Sequence, residues 1–113
     1  MKSVSIVELI ARPERNEARR VMVAGFLHLE FEGDALYLHI DDCKYHISKN
    51  AVWVSLSDDL RPLAEKYNNR YVYLVGTFTA KRKGHCGLFS GELARITNID
   101  IQEPRIESIT SQK

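Results

Sequence analysis

From residue 21 to residue 31 apolar and polar positions alternate. Val21, Val23, Gly25, Leu27, Leu29 and Phe31 share one face, and Met22, Ala24, Phe26, His28 and Glu30 share the other. A period of two sustained over that length predicts a strand, with Gly25 a bend or bulge inside it. Glu32, Gly33 and Asp34 make a turn. Residues 35–40 predict a second strand, Leu36, Leu38 and Ile40 against Tyr37 and His39, which closes a hairpin with the first. The polar stretch 41–50 reads as a loop. Residues 51–56 alternate again, Val52, Val54 and Leu56 against Trp53 and Ser55, and predict a third strand.

The periodicity changes at Ser57. Leu60, Leu63, Ala64 and Tyr67 recur at helical spacing, so a helix is expected from Asp58, capped by Ser57 and ended by Asn68 and Asn69. Asp58 and Asp59 would suit its positive N-terminal end, and Pro62 falls in its first turns. Residues 71–80 predict a fourth strand with Val72, Leu74, Gly76 and Phe78 on one face. A glycine-bearing loop spans 81–91, and residues 92–101 predict a fifth strand. Ahead of the strands, Ile6, Leu9 and Ile10 mark a short helix over about 4–11, capped by Ser3 or Ser5 and stopped by Pro13. Residues 102–113 read as a polar tail.

Three strands, a helix and two more strands, with a long glycine-bent first strand, is the order of an OB-fold. The expectation is therefore a mainly β chain: one five-stranded OB-fold-like barrel over residues 1–101, with a helix between strands three and four. Closure into a barrel would remove the open edge that a five-stranded meander leaves.

Composition narrows the function classes. The 113 residues carry sixteen Lys and Arg against fifteen Asp and Glu, a formal net charge of +1, whereas a general polyanion binder shows a clear basic excess. Two cysteines, Cys43 and Cys86, form no disulfide framework. No apolar run reaches the roughly 18 residues of a membrane span, and the N-terminus lacks signal-peptide features. A cytoplasmic protein without a membrane anchor is expected.

Four segments resemble a family of small bacterial OB-fold-like proteins: VMVAGFLHLEFEGDALYL from residue 21, NAVWV from residue 50, YVYLVGTF from residue 71 and GHCGLFSGEL from residue 84. The resemblance covers about residues 4–101 and implies the fold. Members are mostly uncharacterised, so it carries over no catalytic residues. Some proteins of this kind resemble immunity proteins encoded beside antibacterial toxins. The stretch Arg15 to Arg19 departs from the aromatic-Asp-Gly-Lys turn of the family pattern, which implies a less tight turn before the first strand.

If the aliphatic residues of strands two and three fill the barrel, Tyr37, His39, Trp53 and Ser55 point outward, onto the face where OB-folds bind ligands. Aromatic groups there make a protein hot spot or a base-stacking platform, or else a satellite core under some covering element. Asp41 and Asp42 follow strand two, and Lys81, Arg82 and Lys83 lie in the loop flanking the same groove. Glu30, Glu32, Asp34, Asp41 and Asp42 gather around the hairpin and oppose a nucleic-acid strand, so mixed charge favours a protein partner.

Cys43 and His46, at Cys-x2-His spacing, spell with His85 and Cys86 a conceivable zinc set, but adjacent ligands seldom face one metal, and no Cys-x2-Cys pair supports it. A Cys–His nucleophilic pair lacks an orienting group. The expected reading is a non-enzymatic binding protein without cofactor or metal. Its partner is a protein, in its most concrete form a cognate antibacterial toxin, met through Tyr37, His39, Asp41, Asp42, Trp53, Lys81, Arg82 and Lys83. The alternative is a single-stranded nucleic-acid-binding module.

Overall fold

The computed structural model describes residues 1–31, 33–84 and 87–103. Nine elements matter for the argument: β1 (Lys2–Val4), α1 (Ile6–Ala11), β2 (Arg20–His28), β3 (Ala35–Tyr37), α2 (Ile40–Lys44), β4 (Ala51–Val54), α3 (Arg61–Lys66), β5 (Arg70–Thr79) and β6 (Glu92–Ile101). Single 3-10 turns occupy Pro13–Arg15 and Ser48–Asn50.

Strands β2 to β6 close into a five-stranded mixed barrel in the order β2-β3-β4-β6-β5, with β5 returning to β2. All junctions are antiparallel except β4 with β6, which run parallel through Trp53↔Glu92 and Val54↔Leu93. This is the expected OB-fold-like barrel. The unforeseen β1 adds a short parallel ribbon to the first half of β2, Lys2 opposite Val21 and Val4 opposite Val23.

β2 exchanges neighbours along its length. Residues 21–23 face β1, residues 26–28 face β3, and Gly25 sits at the hand-over. A Cβ there would lie 2.7 Å from the Tyr37 carbonyl oxygen and 2.8 Å from Ile6 Cδ1 and Leu36 Cγ. The sharp bend that lets one strand serve two ribbons therefore requires the residue without a side chain.

Most of the predicted inward residues fill the barrel; of those expected from the second strand, Leu38 is exposed and Ile40 packs on a second cluster outside it. Val21, Val23, Leu27, Leu36, Val52, Val72, Leu74, Phe78 and Leu93 are all fully buried. β1 and α1 close one end with Val4, Ile6 and Leu9, and Ala64 of α3 packs into the same core. Ser5 caps α1, its Oγ accepting from Glu8 N at 3.0 Å.

β6 is not a regular alternation. Its core residues run Leu93, Ile96, Ile99, because two extra residues are inserted opposite the Val75–Thr77 step of β5. Arg95 takes a left-handed φ of 52° at this bulge. The Arg20 guanidinium reaches across the sheet and donates to the freed Arg95 carbonyl and to Thr97 Oγ1, both at 2.6 Å.

Three expectations need correction. The second strand ends at Tyr37 rather than at residue 40, and the stretch expected as a loop contains α2. His39 starts that helix, its Nδ1 accepting from Asp41 N at 3.2 Å, with Asp41 and Asp42 in the first turn. The helix expected from Asp58 starts at Arg61, and no side chain caps it. A turn leads into it, with Leu60 N and Arg61 N both donating to Ser57 O, but Pro62 has no N–H to give the Asp58 carbonyl, so the ladder is interrupted there and resumes with Ala64 N donating to Leu60 O at 2.9 Å. Finally, β2 stops at His28, which takes Phe31 off the inward face. Among the described residues no helix is long and apolar enough to cross a membrane. Of the expected polar tail, residues 104–113 lie outside the described residues.

Candidate functional site

Tyr37 and Trp53 do point away from the barrel interior, as their strand phase requires, but they are covered. Phe26, Ala35, Tyr37, Ala51 and Phe89 form a second buried cluster, with Ile40, Cys43, Trp53 and Tyr71 packed on it. Cross-strand pairs set small against large, Ala35 opposite Trp53 and Tyr37 opposite Ala51. α2 supplies Ile40 and Cys43 as one cover, and the β5–β6 loop supplies Phe89 as the other. Tyr37 is only 3% exposed, which excludes it as an open docking aromatic. Burial also pushes its phenol pKa up.

Trp53 is half-buried. Its ring meets Phe89 edge-on at 5.5 Å and 69°. Gly84, at a φ of 71°, lies so close over the indole that a side chain there would collide with the ring. Phe89 N donates to Lys83 O at 2.9 Å within the loop, and Ser90 N donates to Ala51 O at 3.0 Å, which ties the loop down over this face.

The remaining candidates scatter. His39 and Asp41 are exposed at the start of α2, and the His39 ring lies 6.0 Å from that of Tyr71. Asp42 turns inward and accepts from Asn50 Nδ2 at 3.0 Å. It is thus a strut between α2 and the entry to β4 rather than a rim charge. Asp42→Ala should lower stability by roughly 1–2 kcal/mol, because it leaves a part-buried amide unpaired; a thermal melt checks this. Lys81, Arg82 and Lys83 are all exposed, with Arg82 Nη1 3.9 Å from Glu92 Oε1.

The acidic gathering around the hairpin is smaller than the sequence implies. Asp34 accepts a hydrogen bond from Arg61 and Asp42 is occupied by Asn50, so Glu30 and Asp41 are its surface members among the described residues, and Glu32 lies outside them.

The most open feature is one that strand alternation hides. Phe31 is 92% exposed in the β2–β3 connection, an orientation that leaves a large ring almost wholly in water. It borders a cleft of about 660 Å³ that Ile47 and Leu88, also among the exposed large hydrophobics, border from the other sides. The back wall includes Tyr37 and Phe89 of the second cluster, with Glu30 and Lys49 as charged members of the lining. The cleft therefore joins the two loops that flank the ligand face of an OB barrel. The signal for Phe31 was available in sequence: an aromatic residue directly before the turn residues Glu32, Gly33 and Asp34.

Of the conceivable Cys–His nucleophilic pair, Cys86 and His85 lie outside the described residues. Burial, and after it the nearby Glu30 carboxylate, push the Cys43 thiol pKa up, which keeps it protonated and weakly reactive. Of the conceivable zinc set, His85 and Cys86 lie outside the described residues. Among the described residues no three His, Cys, Asp or Glu side chains gather to hold a metal.

Comparison of the chain with protein-family models, with curated proteins and with solved structures finds no match.

Proposed function

We propose that the chain is a non-enzymatic binding protein that docks a protein partner in the cleft bordered by Phe31, Ile47 and Leu88. The observation that carries this reading is the exposure of Phe31 beside two other uncovered apolar residues around one concavity. A ring left in water contributes nothing to the barrel, and contiguous exposed apolar surface marks an interaction site. Neutralisation of a cognate antibacterial toxin in the cytoplasm is the most specific form of the proposal. It is supported by the sequence resemblance to the small bacterial barrel proteins and by cysteine usage suited to a reducing compartment.

The nucleic-acid alternative draws on Lys81, Arg82 and Lys83. Against it, the aromatic groups of the β3–β4 face are buried or edge-covered, so bases find no stacking platform there. Phe31 itself stands beside Glu30, whose charge opposes phosphate.

The test pairs thermal melting with binding to the product of the neighbouring gene. Phe31→Ala should leave the melting temperature unchanged and weaken partner binding about 30-fold, the effect of losing a central anchor of ~2 kcal/mol. A Phe31→Ala protein with full affinity removes the cleft from the interface. Salt-sensitive nanomolar binding of labelled oligonucleotides, lost on joint Lys81→Ala, Arg82→Ala and Lys83→Ala substitution, would establish the alternative.

A further inference from the structure

Phe31 is a ridge between two clefts rather than the wall of one. On its far side lies a second depression of about 410 Å³, bordered by Glu30, Asp34, Arg61 and Glu65 and floored in part by Leu29. The two clefts differ in chemistry. The first is dominated by the apolar groups Ile47, Leu88 and Phe89, whereas the second holds three carboxylates against one guanidinium.

That guanidinium is already engaged. Arg61 donates to Asp34, whose carboxylate is largely screened from solvent, and the pairing holds Arg61 firmly in its charged form. The neutralised pair braces the hairpin connection against α3. Glu30 and Glu65 are left over. Among the described residues Glu65 has no ion-pair partner, and the Glu30 carboxylate has only the His28 ring, 3.9 Å away. Two negative charges thus face one cleft directly behind an exposed aromatic ridge that opens onto an apolar one.

Resting on the docking reading above, we infer that the partner presents an extended segment with an apolar side chain and, two residues away, a lysine or arginine. In an extended chain side chains at i and i+2 point the same way and stand about 7 Å apart, close to the width of an aromatic ring. Such a segment straddles Phe31, placing its apolar group against Ile47 and Leu88 and its cation between Glu30 and Glu65. An acidic side chain at the second position meets uncompensated like charge and is rejected.

The probe is a library of random short peptides displayed on phage and selected on the full-length protein, with enriched sequences then made as labelled peptides for anisotropy. The expected consensus is apolar-x-Lys/Arg, with affinity falling about 30-fold on Phe31→Ala. The joint variant Glu30→Gln/Glu65→Gln should weaken these peptides about fivefold at low salt and less at high salt. It should not affect a peptide whose basic residue is replaced by glutamine. Phe31-dependent peptides that are neutral or acidic at that position, or indifference to the double variant, overturn the inferred partner chemistry and leave the docking cleft standing. Absence of any Phe31-dependent peptide overturns the docking reading and this inference with it.

Discussion

Phe78→Ala should remove about 3–5 kcal/mol of folding stability and lower the melting temperature by on the order of 15 °C. Phe78 heads the fully buried side chains by volume, and it sits where β5 crosses between β2 and β6. Its ring packs under Gly91, where a Cβ would stand 2.6 Å from Phe78 Cε1, so the loop entering β6 is shaped around it. The backbone of Phe78 also pairs with the turn before β2, accepting from Ala18 N at 2.8 Å and donating to Arg19 O at 3.0 Å. Alanine keeps those bonds and loses only the ring, so the measured change reports the apolar transfer and the cavity left behind. Small domains hold roughly 5–15 kcal/mol in total, and a loss of this size leaves the variant marginal at growth temperature. A melting temperature within a few degrees of the parent would mean that the interior collapses around the gap, and that the inward face of β5 is not the centre of the core.

The inward face was legible because a barrel strand buries one side and a period of two records which. Val21 to Leu27, Leu36, Val52, Val54 and Val72 to Phe78 all fall where alternation puts them. Gly25 was legible for the same reason, since an apolar row interrupted by glycine signals a bend. Alternation failed where the backbone stops being regular. In β6 the inserted residues at Arg95 break the period. In β2 alternation runs on past His28, so Phe31 read as one more core residue when it stands almost bare in water. α2 was hidden because His39 is an unusual cap and five residues give no apolar stripe to count.

The covered state of Tyr37 and Trp53 had a different cause. Strand phase fixes which way a side chain leaves the sheet, but not what meets it there. The covers come from residues 40–44 and from Phe89, the latter more than thirty positions from Trp53, and no local pattern links them. The same separation joins Phe31, Ile47 and Leu88 at one cleft. Residue types were readable one by one, and their assembly depended on closure of the barrel.

Trp53→Ala tests whether the covering loop is held from beneath. Trp53 is half-buried between Gly84 and Phe89, and it does not line the proposed docking cleft. Truncation of a fully buried aromatic costs about 3–5 kcal/mol. For a half-buried ring roughly 2 kcal/mol is expected, or about 8–10 °C in melting temperature at this chain length. The barrel should survive, because Val52 and Val54 fill it from the other face of β4. Binding should nevertheless fall by tenfold or more, since Phe89 loses its edge-on partner and carries Leu88, one border of the cleft, away with it. Trp53→Phe keeps part of that contact and should recover most of both effects. The comparison with Phe31→Ala separates the two roles: Phe31 acts on affinity alone, Trp53 on stability and affinity together. A Trp53→Ala protein that melts like the parent would show that the backbone bonds from Phe89 and Ser90 hold the loop without the indole. One that unfolds outright would make the outer cluster and the barrel interior a single cooperative core.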